Sequence, residues 1–114
     1  ITTSTRSSKH VVSSNKMNKY QDLKIWSNGM DIVDEAFELM KSIEPADKYM
    51  IESQILRSAI SIPSNVAEGA SRSSEKDFAR FLEIALGSSF ELETQVQILK
   101  RNIPGVAVES IQGG

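Results

Sequence analysis

With 114 residues, 39% of them hydrophobic and 25% charged, the chain has room for one domain around one core, in ordinary globular proportions. Cysteine is absent, which excludes a disulfide framework and a thiolate metal site, and no window approaches the roughly 18 consecutive apolar residues of a membrane span. The net charge of –2 runs against the basic balance usual in a nucleic-acid binder, and a cytoplasmic protein without cofactors or membrane contact is expected.

Residues 1–16 (ITTSTRSSKHVVSSNK) are rich in Ser and Thr. They carry too little apolar area to offset the entropy of ordering them, and a disordered tail without a signal-peptide core is expected. Met17 reads as a natural start, and two origins are open for the tail, upstream read-through or sequence added to the chain. Arg6, Lys9 and Lys16 lie in this tail, where there is no acid, so from Met17 onward ten Lys and Arg face fifteen Asp and Glu, a balance of –5. The domain expected over 17–103 is therefore acidic.

The first helix is expected from Gln21 to Ser42. Leu23, Trp26, Met30, Val33, Phe37 and Met40 follow at steps of 3, 4, 3, 4 and 3, an apolar seam with Asp31, Asp34, Glu35, Glu38 and Lys41 off it. Glu44-Pro45 ends it, because a residue before proline is pushed out of the α region. The second helix is expected from Ala46 to Gly69, with Ile51, Ile55, Ala59, Ile62 and Val66 inward. Pro63 within it should free the Ala59 carbonyl and kink the helix, and Gly69 is the expected C-cap. Ser74 should cap a third helix, from Glu75 to about Arg101. Its seam is Phe78, Leu82, Ala85, Ser89, Leu92, Val96 and Leu99. Pro104 and Gly105 stop it, and 104–114 reads as an irregular tail. No strand is needed, so the fold class is all-α, an antiparallel up-and-down helical bundle.

The third helix is apolar on more than one side. Ile84, Leu86, Phe90 and Ile98 point away from its main seam, and in so small a chain such a second side is expected to meet another subunit. Gly87, with Ser88 and Ser89, gives up about 1 kcal/mol of helix propensity, which suggests a close helix–helix approach there. On the second helix Gln54, Arg57, Ser61, Asn65, Glu68 and Arg72 form a polar line at steps of 3, 4, 4, 3 and 4. These groups suit specific hydrogen bonding. Two readings stand: an interior or inter-subunit network with Arg57 paired to Glu91 or Glu68, or a recognition surface for RNA or a protein, joined by Arg80.

Catalytic constellations are missing, and an enzyme is not expected. His10, the one histidine, lies in the tail. No phosphate loop, Glu-x-x-His pair or G-x-S-x-G elbow is present. Glu91 and Glu93, two apart on a helix, face apart.

The segments DLKIW (Asp22 to Trp26), QILRSAISIPSNVAEGASR (Gln54 to Arg72) and FLEIALGSSFELETQ (Phe81 to Gln95) resemble the bacterial family of proteins encoded in intervening sequences of 23S ribosomal RNA genes. The resemblance covers Lys19 to about Leu99. It implies an up-and-down four-helix bundle that assembles into a ring, commonly a pentamer. It also implies kinship with an accessory protein of diversity-generating retroelements that binds RNA and a reverse transcriptase. No catalytic residue carries over, and the matching signature residues are Arg57, Ser61, Pro63, Asn65, Glu68, Gly69 and Arg72. A fourth helix is short or missing here, and three helices should leave the Leu82–Leu92–Leu99 seam partly uncovered, at a cost of several kcal/mol by area. Val106, Val108 and Ile111 could supply a partial substitute. The expected function is a non-catalytic oligomeric scaffold for RNA or a ribonucleoprotein, with a protein–protein interaction module as the alternative.

Overall fold

The computed structural model describes residues 19–103 and 105. The readings of 1–16, of His10 and of Val106, Val108 and Ile111 lie outside the described residues. A 3-10 turn at Tyr20–Asp22 leads into α1 (Lys24–Lys41). The short α2 (Pro45–Lys48), α3 (Glu52–Ala70) and α4 (Glu75–Asn102) follow, and no strand occurs among the described residues.

α1 begins three residues later than its periodicity suggests. Tyr20 to Asp22 wind more tightly, Leu23 N–H donates to the Tyr20 carbonyl at 3.0 Å, and the Tyr20 ring stands edge-on to Trp26 at 5.5 Å. The buried face of α1 is also rotated from the expected seam. Gly29, Ala36, Leu39 and Met40 are buried and Ile32 and Val33 pack beside them, whereas Met30 and Phe37 are 39% and 46% exposed. The small residues face α3 because they allow close approach. A β-carbon on Gly29 would sit 3.3 Å from Ile62 Cγ2 and from Pro63 Cβ and Cδ.

The expected single helix from Ala46 to Gly69 is two helices. Pro45 starts α2 at its first turn, where a missing N–H costs nothing. Tyr49 and Met50 then stand in solvent. No residue from Ala46 to Met50 is buried among those whose side chains are described, so no apolar anchor holds this stretch in line with α3. From Glu52 the helix runs through Pro63 to Ala70. Gly69 is not the cap. It lies inside the last turn, where its missing side chain admits Phe78 and Phe81, and Ser71 closes α3 instead, its N–H on Ala67 and Glu68 and its Oγ 2.7 Å from the Glu68 carbonyl. Ser74 caps α4 as expected, accepting from Asp77 N–H at 3.1 Å, and Lys100 and Arg101 complement its C-terminal end.

α3 lies between α1 and α4 and packs against both. Gly29 meets Ile62 on one side; on the other, Gly69 meets Phe78 and Phe81 while Ser61 meets Ser88, so α3 and α4 run antiparallel. The core joins Ala36, Leu39, Met40 and Ile43 of the α1 end to Ile55, Ala59 and Ile62 of α3 and Leu92, Val96 and Leu99 of α4. The expected gap along Leu82–Leu92–Leu99 is therefore mostly closed: Leu92 and Leu99 are buried, and only Leu82 is half-exposed. Leu92, Val96 and Leu99 share one core with α3 and the α1 end, and Ile103 packs against that core.

Candidate functional site

The polar line of α3 divides into two parts. Its middle is an interhelical network: Ser61 Oγ and Ser88 Oγ are 2.7 Å apart, and Asn65 Nδ2 donates to the Ser61 carbonyl at 2.8 Å and to its Oγ at 2.9 Å. Both helices must approach closely for two hydroxyls to meet, so this contact sets the α3–α4 register. Gln54, Arg57, Glu68 and Arg72 are exposed. The expected pairing of Arg57 is not present. Glu68 is taken by Arg72 one turn on, Glu91 is met by Gln95 Nε2 at 3.5 Å, and Arg57 has no ion-pair partner among the described residues.

At the α3–α4 turn, Arg72 and Arg80 both lie over the Phe81 ring, 4.9 and 5.2 Å from its centroid. Arg72 pairs with Glu68, and Arg80 approaches Asp77 at 3.9 Å. Each guanidinium thus carries a carboxylate beside it, which lowers the local positive field. The cations are exposed and each such pair is worth little by itself, while the stacking on Phe81 fixes their direction.

Gln95 was not singled out by sequence pattern. It is 8% exposed, and its Oε1 is buried with no hydrogen-bond partner among the described residues. The signal was present: Gln95 lies three residues after Leu92 and four before Leu99, an apolar slot filled by an amide. Ser88, four residues before Leu92, carries the same signature.

Ile84, Leu86, Phe90 and Ile98 are 43, 54, 59 and 49% exposed, as their placement off the main seam requires. Gly87 is not at a close approach among the described residues, since a β-carbon there would meet nothing of theirs within 4 Å. Among the described residues no group of three or more His, Cys, Asp or Glu could hold a metal ion. No helix there is long and apolar enough to cross a membrane.

The family model described as 23S rRNA-intervening sequence protein matches residues 21–103, a span that takes in the whole polar line and all four exposed α4 residues. Among curated proteins none matches the chain.

Proposed function

This chain belongs to the 23S rRNA-intervening sequence protein family, and from that premise we propose that it is a non-catalytic cytoplasmic scaffold whose copies self-assemble through the outer face of α4. The observation that carries this reading is the row of half-exposed Ile84, Leu86, Phe90 and Ile98 around an open Gly87. Isolated apolar side chains are normal on a surface. Four on one helix, beside a glycine that no contact among the described residues requires, have the composition of an interface core. By resemblance the assembly is a ring of five. Sedimentation equilibrium over a wide concentration range tests it. A mass several times that of the chain is expected, and a monomer at every concentration overturns it.

A second reading, an RNA contact, draws on Arg72 and Arg80 at the Phe81 ring, because arginine and aromatic planes stack on bases. Glu68 and Asp77 beside them, and the balance of –5 after Met17, oppose it. Fluorescence anisotropy of a labelled RNA across a salt series decides. Binding that weakens steeply with salt supports the contact, and a flat signal at low salt leaves the protein-interaction reading alone.

A further inference from the structure

Ile84, Gly87, Glu91, Thr94 and Ile98 succeed one another at steps of 3, 4, 3 and 4 and form one stripe along α4. All five are exposed. Ile84 and Ile98 lie seven residues to either side of Glu91, about 10 Å along the axis, and Gly87 leaves open space one turn away from it.

Arg57 stands at the same level on α3. The Ser61–Ser88 contact sets the register, and in antiparallel helices four residues back from Ser61 answers three residues forward from Ser88. One exposed cation and one exposed carboxylate therefore share a level, yet no ion pair joins them. One turn beyond Glu91, Gln95 Nε2 donates to its carboxylate at 3.5 Å, the contact Glu91 makes within its own helix.

A surface that carries both signs unpaired, between two isoleucines, is complementary to a second copy of itself. We propose that a second copy of this chain seats on this patch and that Arg57 of one copy pairs with Glu91 of the other. The proposal rests on the self-assembly reading and adds to it a polar anchor that fixes how the copies meet. A guanidinium has five donors in a fixed fork. It can hold the Glu91 carboxylate through two parallel hydrogen bonds.

Charge reversal tests this in the full chain. Arg57→Glu and Glu91→Arg each place two like charges at one level of the patch, and each alone is expected to weaken association by at least about tenfold. Mixing the two variant chains is expected to restore association at every contact between unlike chains, because each then offers the opposite charge to the other. Both sites are exposed, and an unchanged helical circular dichroism spectrum verifies the fold of each variant. Pairing within one chain predicts the reverse: the mixture associates no better than either variant alone, and that result overturns the proposal. Wild-type association unaffected by either reversal also overturns it while leaving self-assembly standing. A wild-type chain that stays monomeric removes both.

Discussion

Replacing Gly69 by alanine probes the closest approach between α3 and α4. A β-carbon there would lie 2.7 Å from Phe81 Cβ, 2.9 Å from Phe78 Cδ1 and 3.3 Å from the Phe78 carbonyl oxygen. The Phe78 ring can swing aside. Phe81 Cβ cannot, because it is bonded directly to the backbone, so the helices must part by roughly 0.5–1 Å to regain ordinary carbon–carbon separation. Overpacking of this kind costs about 1–3 kcal/mol, while alanine recovers up to about 1 kcal/mol of helix propensity. The net expectation is a loss of about 1–2 kcal/mol. Gly87→Ala is the matched control, since nothing lies within 4 Å of its β-carbon, and the dilute chain should gain about 0.5–1 kcal/mol. Urea unfolding followed by helical circular dichroism, at a dilution where association plays no part, should rank the midpoints Gly87→Ala, wild type, Gly69→Ala with a common slope. Equal stabilisation by the two alanines would refute the close approach and the register built on it.

Gln95→Met removes a buried carbonyl with no donor among the described residues and should leave the dilute chain as stable as wild type or up to about 1 kcal/mol more so in the same urea assay. Ser61→Ala should cost about 1 kcal/mol, and the double change with Ser88→Ala less than the sum of the two, a coupling that a double-mutant cycle measures directly. Ile55→Ala, at a fully buried position, should cost about 2–5 kcal/mol. Phe37→Gln, on the half-exposed side of α1, should cost under about 1 kcal/mol. The reverse order would restore the Met30–Phe37 seam as the core face.

The positions of the long helices, the serine cap of α4 and the inward places of Ala85, Leu92, Val96 and Leu99 were legible in the sequence, since each depends on local spacing and on chemistry a few residues away. The family match was legible too, because Ser61, Pro63, Asn65, Glu68 and Gly69 stand together in one short run. The break at Tyr49 and Met50 was hidden, for helix propensity there is ordinary and only the want of an apolar anchor interrupts the run.

By itself, then, the sequence determined that this is a helical chain with apolar arcs at a period of 3.6 residues, and which family it belongs to. Tertiary structure alone decided which part of each arc is buried. On α1 the apolar arc is wider than one neighbour can cover, and α3 settles against Gly29 and Ala36 because small residues permit the shortest interaxial distance. The same logic separates the two glycines: Gly69 faces a phenylalanine and Gly87 faces open space. It also leaves Arg57 and Glu91 level but unpaired, for an ion pair depends on side-chain reach across two helices, which no spacing along one helix specifies.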